Sequence, residues 1–117
     1  MRKKYVLVTG SSGTLGTRVC EFLLKKNEPL VCLDDKPNFY SSHVNKHTLK
    51  IDLRNGTFLN KESIKEKPID TIIHLAANAR VPHSIKNPIQ AKDNFDILYN
   101  VLELARAEKV KKFIFIS

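Results

Sequence analysis

Short apolar runs separated by longer polar or amphipathic segments divide the chain into alternating elements. Four of these runs are nearly all apolar, which is typical of strands buried on both faces of a sheet. They cover residues 5–8, 30–33, 71–75 and 112–116. A shorter run over residues 48–51 predicts a further strand, placed third in the chain order.

Helical periodicity appears between the predicted strands. After the first strand, apolar residues recur at i, i+4, i+7 and i+8 from Leu15 through Phe22 to Leu23, which predicts an amphipathic helix. Residues 36–46 have no periodicity and are predicted to form a loop. A weak helix is predicted around residues 60–67, and the longest helix is predicted to run from about Pro88 to Lys109.

The longest predicted helix has a wide apolar face. At about 100° per residue, its apolar side chains spread over roughly 220°, whereas packing on one sheet needs a stripe of only about 100°. These side chains are Phe95, Ile97, Leu98, Tyr99, Val101, Leu102, Leu104 and Ala105. Part of the face therefore requires another partner, which is either a second subunit or a further layer of one larger domain.

Strands that alternate with helices predict an α/β fold, a doubly wound parallel sheet with helices on both faces. Right-handed crossover connections then give the strand order 3-2-1-4-5. The 117 residues, 42% of them hydrophobic, suffice for one compact domain and are too few for two of typical size.

The chain is basic, with 20 Lys and Arg against 12 Asp and Glu and a formal charge of +8, so acidic partners must be considered. Several lysines fall at predicted helix ends, where cations suit the helix dipole, and the others are scattered. The sequence offers no aromatic platform or basic stripe for nucleic acid. We therefore interpret the charge as a solvated surface and expect no nucleic-acid partner.

The apolar runs and the cysteines indicate in which cellular environment the protein is expected. No apolar run approaches the roughly eighteen residues that a membrane-spanning helix needs, so we expect a soluble domain without membrane association. Cys20 and Cys32 lie in apolar segments, with no Cys-x-x-Cys pair and no histidine at metal-ligand spacing. We expect buried thiols, no metal site and a reducing, cytoplasmic location.

A glycine-rich turn, Thr9-Gly10-Ser11-Ser12-Gly13-Thr14-Leu15-Gly16, joins the first strand to the first helix. Gly10 allows the tight turn, Gly13 removes a Cβ where a pyrophosphate would approach, and Gly16 lets helix and strand pack closely. The helix N-terminus then presents N–H groups and partial positive charge to the phosphates. In this context the motif predicts dinucleotide binding, and the alternative is a purely structural turn.

Acidic residues follow the second and third predicted strands. Asp34 lies 18 residues after Gly16, the place from which a carboxylate accepts hydrogen bonds from the adenosine ribose. Its charge would repel a 2′-phosphate, which favours NAD over NADP. The alternative is that Asp34 and Asp35 simply open a loop. Asp52 is either a turn residue or the acceptor of the adenine amino group.

Two polar residues lie inside apolar segments. Asn94 falls at the centre of the apolar arc of the long helix, where a buried amide needs partners. It is either a structural tie or a site residue, and the residues alone do not decide between them. His74 lies in an otherwise apolar strand, so we interpret it as a hydrogen-bonded core histidine rather than a catalyst.

Together these features resemble the extended short-chain dehydrogenase/reductase family, particularly the NAD-dependent nucleotide-sugar epimerases and dehydratases. The resemblance covers the whole chain. Its carriers are residues 9–16, Asp34, Asp52-Leu53, His74-Leu75-Ala76-Ala77, residues 84–88, Asn94, residues 100–103 and residues 113–117. It implies a Rossmann NAD-binding domain over residues 1–117, truncated after the fifth strand.

The resemblance also implies which residues meet NAD. The pyrophosphate would be met by Thr14 and Leu15, the adenosine ribose by Asp34 and Asp35, the adenine by Asp52 and Leu53, and the nicotinamide side by Leu75, Ala76, Ala77 and Ala79. Asn94 would help to hold the cofactor, and the helix from Asn94 to Lys109 would pair between subunits of a homodimer. Relatives commonly have Gly-Thr where this chain has Ile97-Leu98, which departs from the usual pairing helix.

The family's proton transfer uses a Tyr-x-x-x-Lys pair that lies downstream of the fifth strand. Tyr5, Tyr40 and Tyr99 have no lysine four residues later, so we assign no catalytic residue within the chain. The resemblance implies the NAD-binding portion of an epimerase or dehydratase whose complete form acts on a nucleotide sugar. The chain alone is expected to bind NAD without turnover. The alternative is a non-catalytic NAD-sensing or protein-interaction module.

Overall fold

The computed structural model describes residues 3–76 and 88–116. Its centre is one parallel sheet with the order β3-β2-β1-β4-β5, which confirms the predicted fold class and strand order. The strands are β1 (Tyr5–Thr9), β2 (Leu30–Asp34), β3 (Thr48–Lys50), β4 (Ile69–His74) and β5 (Lys112–Phe115). Strand β4 begins before the predicted Thr71, because Ile69 already pairs with Tyr5 ahead of a register shift.

Four α-helices and one 3-10 helix connect the strands within the described residues. They are α1 (Thr14–Lys25), α2 (Ser42–Lys46), the 3-10 helix Gly56–Asn60, α3 (Glu62–Lys65) and α4 (Pro88–Glu108). The weak helix predicted around residues 60–67 is thus two short helices, since Lys61 between them has extended backbone angles.

The prediction of a loop over residues 36–46 was wrong at its end, where α2 forms. The hydroxyl of Ser41 accepts a 3.2 Å hydrogen bond from the N–H of Val44 and caps this helix. The side chain of Val44 is fully buried in an apolar cluster with Cys20 of α1 and Cys32 of β2. One apolar anchor and one cap are too little periodicity to predict a helix from the sequence.

The sheet separates two apolar clusters, because successive side chains of a strand point to opposite faces. On one face Leu7 and Ile72 pack with Val101 and Leu104 of α4. On the other face Val8 packs with residues of β2, α1 and α2, including both cysteines. Fully buried and free, Cys20 and Cys32 have their sulfurs 3.5 Å apart, which confirms the prediction of buried thiols.

Helix α1 turns a narrower face to the sheet than predicted. Leu15 and Phe22 are each 53% exposed, whereas Gly16, Thr17 and Cys20 are buried. A Cβ on Gly16 would lie 2.0 Å from the carbonyl oxygen of Gly10. The helix therefore approaches the glycine turn through small residues, and Leu15 and Phe22 stay outside, whereas Val19, Leu23 and Leu24 pack on the sheet cluster.

Helix α4 buries only part of its wide apolar face. Val101 and Leu104 are buried against the sheet, whereas Phe95, Tyr99 and Leu102 are 70%, 57% and 46% exposed. Within the described residues, no helix combines the length and the apolarity needed to cross a membrane.

Candidate functional site

A cleft of about 1000 Å³ lies beside the carboxyl ends of β1 to β4. Parallel strands end at the same edge of a sheet, so the residues that follow them meet there. Nine residues singled out in the sequence line this cleft: Gly10, Gly13, Asp34, Asp35, Asp52, Leu53, Leu75, Ala76 and Asn94. Thr14, Leu15 and Gly16 lie just beyond Gly13 in the first turn of α1. Ala77 and Ala79 fall outside the described residues.

Gly10 and Gly16 make the close contacts of the glycine turn. Gly10 has a φ of +73°, and a Cβ there would lie 2.8 Å from the backbone nitrogen of Ala76. Gly16 presses on the Gly10 carbonyl, as described above. Both positions therefore exclude a side chain for reasons internal to the fold.

Gly13 differs from the other two glycines. The nearest atom to a Cβ at Gly13 would be the Gly10 carbonyl oxygen at 3.6 Å, an ordinary contact, and the residue is exposed beside the cleft. Gly13 is the N-cap of α1. It has no side chain that could cap the helix, and the first turn contains no acidic residue. Helix α2, in contrast, is capped by Ser41. The N–H groups at the start of α1 are thus open to an anion at the cleft.

Asp34 faces the glycine turn from the end of β2. Its Oδ2 accepts a 2.9 Å hydrogen bond from the N–H of Ser12, and its Oδ1 accepts one of 3.0 Å from the N–H of Lys36. A carboxylate has about four acceptor positions, so further donors can still bind. Partial desolvation, and then the adjacent Asp34 carboxylate, raise the pKa of the exposed Asp35.

Asp52 and Arg54 form an ion pair where β3 leads into the cleft. The guanidinium of Arg54 donates to both carboxylate oxygens of Asp52, with a shortest distance of 2.7 Å, and reaches Asp93 of α4 at 3.5 Å. The hydrogen bond from Arg54 lowers the pKa of Asp52. Asp52 also accepts the N–H of Arg54 at 3.0 Å, a bond typical of a turn residue, and its position at the cleft leaves the adenine alternative open as well.

Leu53 is held at the cleft by a residue that the sequence did not assign to the site. The side-chain amide of Asn100 in α4 donates a 2.8 Å hydrogen bond to the Leu53 carbonyl. A Cβ on Gly56 would lie 3.3 Å from Oδ1 of Asn100, so this glycine leaves room for the amide. The tie spans 47 residues, which no local sequence signal could reveal.

The end of β4 is organised by Thr9 of β1. The Thr9 hydroxyl oxygen accepts N–H groups from Leu75 at 3.0 Å and Ala76 at 3.2 Å. It lies 2.7 Å from Nδ1 of His74, which is 1% exposed. The interpretation of His74 as a hydrogen-bonded core histidine is therefore confirmed. Burial lowers the pKa of this ring.

Two amides complete the surroundings of the cleft. Asn94 is half-buried and lines the cleft between Asp93 and Ile97, near the N-terminal end of α4. Asn38 is buried behind the opposite wall and bonds to Ser11. The sequence did not single out Asn38, because a polar residue in an aperiodic segment gives no signal of burial.

The chain is similar in sequence to a family of known proteins. Residues 6–117 match the family described as the NAD dependent epimerase/dehydratase family. UDP-glucose 4-epimerase of Halalkalibacterium halodurans is 32% identical over 114 residues, covering 96% of this chain and 34% of that protein. dTDP-D-glucose 4,6-dehydratase of Dictyostelium discoideum is 34% identical over 126 residues, covering 96% of this chain and 28% of that protein.

Solved structures show the same architecture. The crystal structure of Thermus thermophilus UDP-glucose 4-epimerase in complex with NAD matches with a TM-score of 0.78 and 26% identity, covering 93% of this chain and 36% of that one. The chain thus spans about a third of the length of the relatives that it matches.

Proposed function

Since the chain belongs to the NAD dependent epimerase/dehydratase family, we propose that residues 1–117 form the NAD-binding portion of an enzyme that acts on a nucleotide sugar. The family is NAD-dependent, and the relatives named above are a UDP-glucose epimerase and a dTDP-glucose dehydratase. Their shared substrate chemistry, a sugar joined to a nucleoside diphosphate, supports this substrate class. The relatives divide between epimerase and dehydratase, so we leave the reaction at the level of the family.

The observation that carries the proposal is the arrangement of the α1 N-terminus opposite Asp34. An uncapped helix N-terminus beside Gly13, where no Cβ fills the space, fits a pyrophosphate. A carboxylate held by the backbone of the same turn, at Ser12, fits the ribose hydroxyls. In a dinucleotide the adenosine ribose is joined directly to the pyrophosphate. Gly13 at the start of α1 and Asp34, which would bind these two groups, line one cleft.

Different residues of the cleft would bind different parts of NAD. Thr14 and Leu15, with the backbone at Gly13, would hold the pyrophosphate, and Asp34 with Asp35 the ribose. The adenine would lie at Asp52 and Leu53. Arg54 already bonds to both oxygens of Asp52, so an adenine amino group would share this carboxylate with the guanidinium.

The nicotinamide half is assigned to the end of β4. Leu75 and Ala76 would line it, together with Ala77, Ala79 and Asn94. The chemistry that NAD would supply here is the reversible acceptance of a hydride from the sugar. The part of this site within the chain binds and orients, and the Thr9 hydroxyl holds the Leu75 and Ala76 backbone in place. Proton transfer is assigned to the length of the relatives that this chain does not span.

We further propose that α4 pairs with α4 of a second copy of the chain. Three large apolar side chains, Phe95, Tyr99 and Leu102, are exposed at i, i+4 and i+7 and form one stripe. A stripe of this spacing fits another helix. The same face of the long helix was the wide apolar arc for which the sequence required a further partner.

Calorimetric titration of the purified protein with NAD and NADP tests the proposal. We expect NAD to bind more tightly than NADP, and Asp34→Ala to weaken NAD by about tenfold or more, since the ribose loses a charged acceptor. Asp96→Ala is the matched control, because Asp96 pairs with Lys92 on the surface of α4. Wild-type protein that is folded and binds no NAD would overturn the assignment of the cleft.

A further inference from the structure

Asn38 is a buried amide in the segment that forms one wall of the cleft. It is 5% exposed, whereas the next residue, Phe39, is 86% exposed. Pro37, Phe39 and Tyr40 line the cleft, and Asn38 points away from it into the protein. This segment, residues 34–41, is called the ribose loop below, because it begins at Asp34.

The amide nitrogen of Asn38 reaches the glycine turn and the helix that follows it. Nδ2 donates a 3.0 Å hydrogen bond to the carbonyl oxygen of Ser11 and one of 2.8 Å to the hydroxyl of Thr17. The Thr17 hydroxyl lies 2.7 Å from the carbonyl oxygen of Gly13 and donates to it. The Asn38 side chain therefore connects the ribose loop directly to Ser11 and, through the Thr17 hydroxyl, to Gly13.

The amide oxygen of Asn38 organises its own loop. Oδ1 accepts hydrogen bonds of 2.9 Å from the N–H groups of both Tyr40 and Ser41. The backbone N–H of Asn38 donates to Oδ1 of Asn45 in α2 at 2.8 Å. Both amide protons and both acceptor positions of the side chain are thus used, which is the full capacity of an asparagine.

We propose that Asn38 is a positioning residue that fixes the phosphate turn and the ribose loop at the separation NAD requires. The inference rests on the proposed function of the cleft. The other ties between the two segments, from Ser12 to Asp34 and to the Lys36 carbonyl, are partly or fully exposed to water. The N–H groups of Gly10 and Ser11 also bond to the carbonyl oxygen of Leu33, at 2.9 and 3.5 Å, and hold the end of β2 to the turn. Beyond Asp34, the Asn38 amide forms the buried connection between the loop and the turn, and buried hydrogen bonds are costlier to break.

The hydrogen bonds of the Asn38 side chain to Ser11, Thr17, Tyr40 and Ser41, called the clamp below, are in place before the cofactor binds. If the two segments were free to separate, binding would have to order them, and this ordering would weaken affinity. With Asn38 in place, the N-terminus of α1 and the carboxylate of Asp34 are presented together. Asn38 touches neither the cleft surface nor, in this proposal, the cofactor, so its effect passes through Ser11, Thr17 and the ribose loop.

Two substitutions separate the two halves of the clamp. Asn38→Ala removes all side-chain bonds. Asn38→Asp keeps acceptors for the Tyr40 and Ser41 N–H groups, loses the donors to Ser11 and Thr17, and places a carboxylate oxygen against the Ser11 carbonyl oxygen. Ser41→Ala is the matched control in the same loop, since it removes the cap of α2 and leaves the Asn38 bonds intact.

NAD affinity is measured by calorimetry, and amide hydrogen exchange reports on the loop and the turn. We expect Asn38→Ala and Asn38→Asp each to weaken NAD by about tenfold or more, with the control within about twofold. Exchange at Tyr40 and Ser41 should accelerate in Asn38→Ala only, and exchange in residues 11–13 should accelerate in both variants. Thr17→Val, which removes one acceptor of the clamp with little change of shape, replaces Asn38→Ala if that variant does not fold.

Wild-type affinity in folded Asn38→Asp would overturn the clamp, because the bonds to Ser11 and Thr17 would then be irrelevant to NAD. Equal weakening by Ser41→Ala would do the same, since general loosening of the loop would explain the loss. Failure of the wild-type protein to bind NAD would instead overturn the proposed function. The exchange comparison of residues 11–13 would still decide whether Asn38 holds the turn.

Discussion

The hydroxyl of Thr9 lies 2.7 Å from Nδ1 of His74, although 65 residues separate them in the chain. The Thr9 oxygen also accepts the N–H groups of Leu75 and Ala76, which occupy its two lone pairs. We therefore assign the hydroxyl proton to the bond with Nδ1, which requires Nδ1 to be unprotonated. This arrangement holds the neutral ring, with its proton on Nε2, and Nε2 has no hydrogen-bond partner among the described residues.

The first prediction concerns pH. Burial lowers the pKa of His74 below its ordinary value of 6.5. Between the folded pKa and about 6.5, the unfolded chain binds a proton that the folded chain does not, so the free energy of unfolding falls as pH falls through this window. His74→Gln keeps an acceptor for Thr9 and does not titrate. Urea unfolding from about pH 7.5 to pH 5 should show a smaller loss of stability in this variant.

Another histidine provides the control for this pH dependence. His43 is exposed on α2, and His43→Gln should leave the pH profile of unfolding close to that of the wild type. An unchanged profile in His74→Gln would show that other groups cause the loss of stability. It would also remove the support for a neutral ring beside Thr9.

The second prediction distinguishes two of the glycines of the turn, Gly13 and Gly16. Gly16→Ala places a Cβ 2.0 Å from the Gly10 carbonyl oxygen, and we expect it to lower the free energy of unfolding by about 3 kcal/mol or more. Gly13→Ala meets only an ordinary 3.6 Å contact. We expect it to change stability by less than about 1 kcal/mol and to weaken NAD by about tenfold, since the methyl group occupies the phosphate side of the cleft.

Thermal unfolding and calorimetric titration of both glycine variants check this prediction. A Gly13→Ala protein that binds NAD like the wild type would show that the pyrophosphate does not approach this position. A stable Gly16→Ala protein would show that α1 can move away from the turn.

The sequence predicted those parts of the fold and site that follow the order of the strands. Buried strands are recognisable from their apolar runs, and Asp34 and Asp52 are recognisable because they come directly after such runs. The parallel sheet then brings these residues to one cleft. Asn38 and Asn100 were not recognised, because their roles depend on hydrogen bonds to residues 27 and 47 positions away.

Packing distance explains the errors of the helix prediction. Periodicity placed Leu15 and Phe22 on the buried face of α1, yet both are exposed. The contact of Gly16 with Gly10 brings the first turns of the helix so close that small residues lie against the glycine turn, whereas Val19 and Leu23 pack on the sheet as the periodicity predicted. Hydropathy alone ranks leucine above glycine for burial, so the sequence pattern missed Gly16 and misplaced Leu15 at the point where the two backbones are in contact.

The third prediction tests the tie between α4 and the segment after β3. Asn100→Ala leaves the carbonyl of Leu53 without its donor and removes packing from Gly56. We expect the free energy of unfolding to fall by about 1 to 2 kcal/mol, measured by urea denaturation. Asn60→Ala, at an exposed position of the 3-10 helix, should change it by less than about 0.5 kcal/mol. Equal effects of the two variants would mean that the bond contributes nothing specific.

The fourth prediction concerns self-association through α4. Phe95 and Tyr99 are 70% and 57% exposed and lie one turn apart on the same stripe. Burying two aromatic side chains between copies releases water from a large apolar area, whereas a glutamate at either position would bring a charge into the contact. We expect the wild-type protein to be a dimer by light scattering and Tyr99→Glu to be a monomer. Phe22→Glu, at an apolar side chain of α1 that is 53% exposed, should remain a dimer, and its dissociation would place the contact on α1 instead.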